Sequence, residues 1–285
     1  MNILITGCNG QLGNELRLIE DRFGEEYTFF HTDIEELDIT DREAVNAYIQ
    51  DNAIDLIINC AAFTAVDRAE EAQELCEKLN SAAPGYLAAA VEERGGNIIH
   101  VSTDYVFSGE GCVPYREDSP TAPQSVYGTT KLAGEERVIR SCAGAVIIRT
   151  AWLYSPFGNN FVKTMIRLGK EREELGVVAD QIGSPTYAHD LAMAICQMVR
   201  HGLVPGVYHF TDEGTTSWYD FTRVIHREAG IRNCRVRPLH TEDYPTPAKR
   251  PHYSVLDKTK IKDTYGIDIP WWEDALKDCI ERLKD

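Results

Sequence analysis

Short apolar runs alternate with amphipathic stretches along the first half of the chain. Apolar runs bounded by turn residues predict buried strands, here at residues 3–5, 27–31, 56–60, 97–102 and 145–149. Between them, helical spacing of apolar side chains predicts helices at 12–19, 42–50, 69–94 and 128–140, with Pro84 marking a point where the third can break. Buried strands separated by helices predict a parallel sheet covered on both faces, which is a doubly wound α/β fold.

Beyond Ala151 the pattern loosens, and prolines and glycines interrupt it more often. Helical spacing returns at 160–173, 189–200, 218–229 and 272–283. The apolar run at 207–210 can return to the main sheet as another strand. We therefore expect a main domain over residues 1–150 and a smaller, mostly substrate-binding part over residues 151–285.

Composition and charge narrow the class of protein. The 285 residues are 43% hydrophobic and 26% charged, which is ordinary for a globular chain. The net charge of −16 argues against non-specific binding to nucleic acid or to an anionic membrane. No apolar run approaches the roughly 20 residues of a spanning helix, and the first residues do not follow a secretory signal pattern. We expect a cytoplasmic protein whose eight scattered cysteines stay reduced.

Three glycines, Gly7, Gly10 and Gly13, follow the first predicted strand in the spacing GxxGxxG. In a strand–turn–helix unit they permit a tight turn, a close approach of a pyrophosphate and close helix–strand packing. Free backbone N–H groups and the helix dipole favour an anion there. The turn predicts that the first domain is a Rossmann-type dinucleotide-binding domain, although three glycines also suit an ordinary loop.

Asp33 stands at the expected end of the second strand, about 20 residues beyond Gly13, where Rossmann domains carry an acidic residue. A carboxylate in this position accepts hydrogen bonds from the adenosine ribose and repels a 2′-phosphate. No lysine or arginine follows it directly, so the pattern favours NADH over NADPH modestly. A solvated aspartate in a turn is the alternative interpretation.

Tyr127 and Lys131 lie four positions apart at the start of a predicted helix, so their side chains share one face. A neighbouring ammonium lowers the pKa of a tyrosine from about 10, which suits proton transfer to a carbonyl oxygen. The YxxxK spacing alone is common by chance. Here a predicted strand also ends at Ser102 and Thr103, and ligands of doubly wound sheets lie at the carboxyl ends of strands.

Together these features resemble the extended short-chain dehydrogenase/reductase superfamily. Within it, segments along nearly the whole chain are similar to those of the dTDP-4-dehydrorhamnose reductase family. These segments are 59–67 (NCAAFTAVD), 102–109 (STDYVFSG), 126–135 (VYGTTKLAGE), 149–154 (RTAWLY), 159–161 (NNF), 180–186 (DQIGSPT) and 245–251 (PTPAKRP). Cys60 departs from the alanine that this family carries in the first of them.

The resemblance implies a set of residues that bind a nicotinamide cofactor: Gly10, Gln11, Leu12, Asp33, Asp38, Ile39, Ala62, Phe63, Thr64, Tyr127 and Lys131. It also implies that Thr103, Asp104 and Trp152 contact a sugar nucleotide, with Thr103 preferred over Ser102 beside the tyrosine. Trp152 suits the apolar face of a deoxysugar, and Arg250 suits its diphosphate. Both residues also have an interpretation without a ligand. Trp152 can be a core residue, and Arg250 can be a structural or surface arginine.

The implied activity is the NAD(P)H-dependent reduction of the C4 ketone of dTDP-4-dehydro-L-rhamnose. Tyr127 would protonate the developing alkoxide, Lys131 would tune Tyr127 and hold the cofactor ribose, and Thr103 would stabilise the growing charge. Two alternatives remain open. One is a non-catalytic NAD(P)-binding regulatory subunit like that of methionine adenosyltransferase, and the other is a related nucleotide-sugar epimerase or reductase.

Some members of this family place magnesium at a dimer contact through glutamates. Glu15 matches one ligand position, but His189 stands where another glutamate is expected. We therefore predict no metal, and the resemblance leaves both a monomer and a homodimer open.

Overall fold

The computed structural model describes residues 1–284, and a six-stranded parallel sheet forms its centre. The strands are β1 (Asn2–Thr6), β2 (Thr28–Thr32), β3 (Leu56–Asn59), β4 (Asn97–Thr103), β5 (Val146–Thr150) and β10 (Gly206–His209). Their order is β10-β5-β4-β3-β1-β2, so the chain winds outward from β1 in both directions. The predicted doubly wound α/β fold is confirmed, and ligands of such sheets bind where the winding reverses, beyond the carboxyl ends of the strands.

Helices cover both faces of this sheet because side chains along each buried strand point alternately to opposite faces. Ile3 and Ile5 of β1 pack with α1 (Gln11–Leu18), α8 (Ala188–His201) and α10 (Thr259–Tyr265). Leu4, between them, packs on the other face, which is covered by α2 (Arg42–Asp51), α5 (Ala83–Glu92) and α6 (Val126–Ser141).

The stretch expected to be helical over 69–94 is divided into several pieces. They are α3 (Val66–Ala69), α4 (Gln73–Glu77), a π-helical turn (Lys78–Ala82) and α5. The π turn ends just before Pro84, and it places Asn80 against the backbone of Phe63, with contacts of 2.8 and 3.0 Å to the Phe63 N–H and carbonyl groups. The break thus lets Asn80 hold the loop that follows β3.

The second half of the chain builds its own core around three amphipathic helices. These are α7 (Phe161–Glu171), α9 (Trp218–Glu228) and α11 (Trp272–Arg282), which pack with the parallel pair β7 (Glu174–Val178) and β12 (Arg235–Leu239). Short pairs join β6 (Leu153–Tyr154) to β9 (Thr186–Tyr187) and β8 (Ile182–Gly183) to β11 (Thr216–Ser217). β10 belongs to this half by sequence but pairs with β5 in the main sheet.

No helix within residues 1–284 combines the length and the apolar character that crossing a membrane requires.

Candidate active site

A cleft of about 760 Å³ runs from the glycine turn across the carboxyl ends of the central strands to the second half of the chain. Most of the residues proposed from the sequence line it: Gly7, Gly10, Gln11, Leu12, Asp33, Asp38, Ile39, Ala62, Thr64, Thr103, Asp104, Tyr127, Lys131, Trp152 and Arg250. Gly13 and Phe63 do not line it. The fold thus gathers groups from both halves of the sequence at one edge of the sheet.

The glycine turn has the shape that a dinucleotide diphosphate requires. Gly7 adopts a positive φ of 64°, and a β-carbon on it would lie 2.8 Å from the backbone of Ala61. Gly10 is the N-cap of α1 and supplies no side-chain acceptor, so backbone N–H groups of the first turn remain available to an anion. The turn therefore fits the diphosphate of a nicotinamide dinucleotide.

Gly13 and Phe63 support the cleft from behind. A β-carbon on Gly13 would lie 2.5 Å from the Gly7 carbonyl oxygen and 2.6 Å from Cys8 Cα, so this glycine permits the close packing of α1 against the turn. Phe63 is buried and packs in a small apolar cluster that includes Tyr127. Its side chain thus supports the tyrosine, and its expected contact with the cofactor stays a prediction.

Asp33 directs its carboxylate to the end of β2 beside the glycine turn. Its two oxygens accept hydrogen bonds from the backbone N–H groups of Asn9, at 3.2 Å, and Ile34, at 2.9 Å. Asp38 accepts from the backbone and hydroxyl of Thr40, which orders the next loop. The carboxylate of Asp33 is therefore fixed at the cleft wall, where it can accept from ribose hydroxyls.

Thr103 and Tyr127 meet across the cleft wall. Thr103 ends β4, and Tyr127 lies in the first turn of α6, which is capped by a 3.1 Å hydrogen bond from the Gly128 N–H to Ser125 Oγ. Burial raises the pKa of Tyr127, and a hydrogen bond with the Thr103 hydroxyl lowers it only in part. The phenol is consequently held protonated, which is the form that can donate a proton.

Lys131 follows one turn later and is 1% exposed. Its Nζ donates to the Val101 carbonyl at 2.6 Å, and burial lowers its pKa to about 8. The expectation that this lysine lowers the tyrosine's pKa stays a prediction. Burial is the largest influence on the pKa of Tyr127, and Lys131 Nζ is directed at the Val101 carbonyl of β4.

Ser102 and Asp104 flank Thr103 and face different partners. The Ser102 hydroxyl donates to Glu135, whose carboxylate also pairs with Arg149 at 2.7 Å. Burial raises the pKa of Asp104 to about 6, while the Thr103 hydroxyl donates to its Oδ1 at 2.9 Å. A hydrogen bond with the Ser254 side chain also acts on this carboxyl group and lowers its pKa in part.

One face of the Trp152 indole is covered by another side chain. Its backbone adopts a φ of 50°, unusual for a residue other than glycine, and its ring stacks on Trp218 with centroids 3.5 Å apart. Trp218 also lines the cleft, and sequence reasoning missed it. The apolar surface that the sequence predicted from Trp152 alone is therefore formed by the stacked pair of Trp152 and Trp218.

Arg250 reaches the cleft from the C-terminal segment and is already paired. Its guanidinium donates to Asp67 Oδ2 at 2.6 Å and to Tyr105 Oη at 3.0 Å. Asp67 lies in α3, so the pair joins the segment after β3 to the C-terminal part of the chain. The side chain of Arg250 stays 26% exposed.

Asn160 is another cleft residue that sequence reasoning did not assign a role. Its Nδ2 donates to Gln11 Oε1 at 2.9 Å, and its Oδ1 accepts from the Lys163 N–H as the cap of α7. An asparagine before a helical stretch signals only a cap in the sequence. Its contact with the glycine turn depends on how the two halves pack.

The side chains considered as metal ligands make other contacts. Glu15 is fully buried, and its Oε2 accepts from His189 Nδ1 at 3.2 Å and from Arg282 Nη1 at 3.0 Å. Within residues 1–284, no cluster of three or more His, Cys, Asp or Glu side chains has the arrangement of a metal site.

Comparisons with known proteins agree with this geometry. The family described as "RmlD substrate binding domain" matches residues 1–285. dTDP-4-dehydrorhamnose reductase from Escherichia coli is 41% identical, over 99% of this chain and 98% of that protein. A solved dTDP-4-dehydrorhamnose reductase from Clostridium acetobutylicum is 44% identical over all of both chains, with a TM-score of 0.94. Another, from Bacillus anthracis in complex with NADP, is 40% identical over 99% of both chains, with a TM-score of 0.93. The chain therefore belongs to the dTDP-4-dehydrorhamnose reductase family.

Proposed function

We propose that this protein reduces the C4 ketone of dTDP-4-dehydro-L-rhamnose to the alcohol of dTDP-L-rhamnose, with a nicotinamide dinucleotide as reductant. The observation that carries the proposal is a single cleft. Thr103, Tyr127 and Lys131 lie on its wall, and the glycine turn lies at its other end. Family membership supports the choice of substrate.

The reaction needs a hydride at the ketone carbon and a proton at its oxygen. The reduced nicotinamide supplies the hydride when it is bound. Tyr127 donates the proton, because burial keeps its phenol protonated. The Thr103 hydroxyl hydrogen-bonds the same oxygen as its charge grows, and Lys131 holds the cofactor ribose.

The sugar nucleotide is proposed to occupy the half of the cleft beyond the tyrosine. The side chain of Asp104, which lines the cleft, would bind a sugar hydroxyl. The Trp152–Trp218 pair offers an apolar wall for the deoxysugar. Arg250 would bind the diphosphate through the part of its guanidinium that Asp67 and Tyr105 leave accessible.

NADH is the proposed preferred cofactor. Asp33 is fixed at the cleft wall by two backbone N–H groups, and its negative charge would face a 2′-phosphate. The Bacillus anthracis relative was solved with NADP, so the preference needs a direct comparison of both cofactors.

Absorbance at 340 nm tests the activity, with purified protein, NADH or NADPH, and dTDP-4-dehydro-L-rhamnose made in situ. We expect substrate-dependent loss of absorbance and a higher kcat/KM for NADH. Cofactor binding without turnover would instead favour the regulatory-subunit alternative or a different ketosugar. Equal or higher kcat/KM with NADPH would contradict the assignment of Asp33.

Tyr127→Phe tests the proton donor. It removes one hydroxyl, so we expect kcat to fall about 100-fold or more while the Kd for NADH, measured by fluorescence, stays near the native value. Tyr244→Phe, at a tyrosine that is 60% exposed, is the matched control and should leave both unchanged. Near-native turnover by Tyr127→Phe would refute the assignment.

A further inference from the structure

Behind Lys131, three buried polar side chains form a chain that the proposed mechanism does not use. Thr6 Oγ1 donates to Asn59 Oδ1 at 2.7 Å, Asn59 Nδ2 lies 2.9 Å from His100 Nδ1, and His100 Nε2 lies 3.4 Å from Lys131 Nζ. None of the four side chains is more than 1% exposed. Buried polar groups are costly unless they are paired, so the chain is a specific arrangement.

A backbone N–H group, which can only donate, determines which atoms donate and which accept in this series of hydrogen bonds. The Ala61 N–H donates to Asn59 Oδ1 at 3.2 Å, and the Thr6 hydroxyl donates to the same oxygen. The oxygen of the Asn59 amide therefore faces these two donors, and its NH₂ group faces His100. In turn, His100 Nδ1 must accept a hydrogen bond.

This hydrogen bond assigns the tautomer of His100. Burial holds the pKa of His100 well below its usual value, so the ring is neutral and carries a single proton. Because Nδ1 accepts from Asn59, the proton resides on Nε2, the nitrogen that faces Lys131.

An Nε2–H group favours one protonation state of Lys131. An ammonium has only donors and cannot accept from it, whereas a neutral amine can. The other titratable groups acting on Lys131 are Glu135 of the same helix and the thiols of Cys60 and Cys76, whose raised pKa values keep them neutral. The carboxylate of Glu135 is paired with Arg149. Burial is the largest influence against the positive charge, and the N–H group of His100 is a polar contact that acts in the same direction.

We propose that His100, with its tautomer set by Thr6 and Asn59, is a positioning residue that stabilises the neutral amine of Lys131. It thereby helps this lysine return a proton to Tyr127 after each reduction. In that step the O–H bond of the phenol re-forms, one N–H bond of the ammonium breaks, and the resulting amine accepts the hydrogen bond from His100 Nε2. A proton from solvent in the cleft, which Lys131 lines, then restores the ammonium before the next turnover. This inference rests on the proposed roles of Tyr127 and Lys131.

Two NMR measurements on the cofactor-free full chain test the proposal. In ¹⁵N-histidine-labelled protein, the His100 signal, assigned by its loss in His100→Gln, should show the Nε2–H tautomer. In protein labelled at lysine ¹³Cε, the Lys131 signal, assigned with Lys131→Met, should titrate near pH 8. His100→Leu should raise that midpoint by about one pH unit, because it removes the N–H donor. His100→Gln, which retains one, should stay closer to native.

His226→Gln is the matched control, since His226 is also buried but its Nε2 donates to the Met165 carbonyl, in the second half of the chain. It should leave the Lys131 midpoint unchanged. The Nδ1–H tautomer in the native protein, or an unchanged midpoint in a folded His100→Leu, would overturn the proposal. If His100→Leu does not fold, the tautomer of His100 in the native protein is the deciding measurement.

The kinetics separate this inference from the proposed function. The alkaline limb of the pH profile of kcat/KM should move upward in His100→Leu together with the NMR midpoint. If Lys131→Met retains reductase activity, the proposed role of the lysine fails, while the NMR comparison still decides whether His100 sets its protonation.

Discussion

Burial acts in opposite directions on the two side chains that the YxxxK motif supplies. It raises the pKa of the Tyr127 phenol and lowers the pKa of the Lys131 ammonium, because it disfavours the charged form of each. Both shifts therefore favour the neutral form of the side chain.

The shifted pKa of Lys131 predicts the pH dependence of reduction. In the proposed mechanism the ammonium is the active form, and its fraction falls as pH rises through about 8, whereas Tyr127 stays protonated over this range. We expect kcat/KM, which reports the free enzyme, to decline above about pH 8. The measurement is a pH profile with the preferred cofactor. A profile that stays flat to about pH 10, the range of an ordinary lysine, would show that the ammonium is not required.

At the scale of elements, the glycine turn and α1 form one unit. The third glycine of the motif, Gly13, is buried against Gly7 and Cys8 rather than exposed in the cleft. Its function is therefore to set the distance between helix and turn. Gly7, Gly10 and the N-terminus of α1, in contrast, line the cleft, where we propose that the cofactor binds.

Gly13→Ala tests this unit. The new methyl group would lie 2.5–2.7 Å from backbone atoms that cannot move independently, so α1 must shift away from the turn. We expect at least a tenfold weaker Kd for NADH, about 1.4 kcal/mol, together with a lower melting temperature. Isothermal calorimetry and thermal unfolding measure the two effects. Leu18→Ala, on the same helix but 56% exposed, is the control, and equal behaviour of the two variants would contradict the packing role.

At the scale of the whole molecule, the C-terminal helix is fastened to the first helix by a buried charge. Arg282 of α11 donates to the fully buried carboxylate of Glu15 in α1, and His189 of α8 faces the same oxygen. A buried carboxylate that loses its partner retains its desolvation cost. This contact therefore links the C-terminal helix α11 to α1, which packs on the main sheet.

Arg282→Met should lower the free energy of unfolding by about 1–3 kcal/mol, because Glu15 would retain only His189 as a polar partner. Urea unfolding at neutral pH measures the change. Arg235→Met is the matched control: Arg235 is 77% exposed and lies 3.9 Å from Glu174, so its loss should cost less than about 0.5 kcal/mol. Equal effects of the two variants would contradict a fastening role for Arg282.

The sequence by itself determined the sheet, most of its helices and the chemistry of the motifs. Strand burial and helix amphipathicity are local patterns, and they placed β1 to β5 and α6 within a few residues of their observed bounds. The glycine spacing and the YxxxK pair are also local, since three or four positions of a turn or helix fix their relative geometry. Resemblance over nearly the whole chain then indicated the family, which the comparisons confirm.

Only the tertiary structure decided the contacts between residues that are distant in sequence. Trp152 stacks on Trp218, Arg250 pairs with Asp67, and His100 meets both Asn59 and Lys131. No periodicity connects such residues, because their proximity depends on strand order and on how the two halves pack. The lowered pKa of Lys131 could not be predicted from the sequence for the same reason. Its burial and its contact with the His100 ring exist only once the chain has folded.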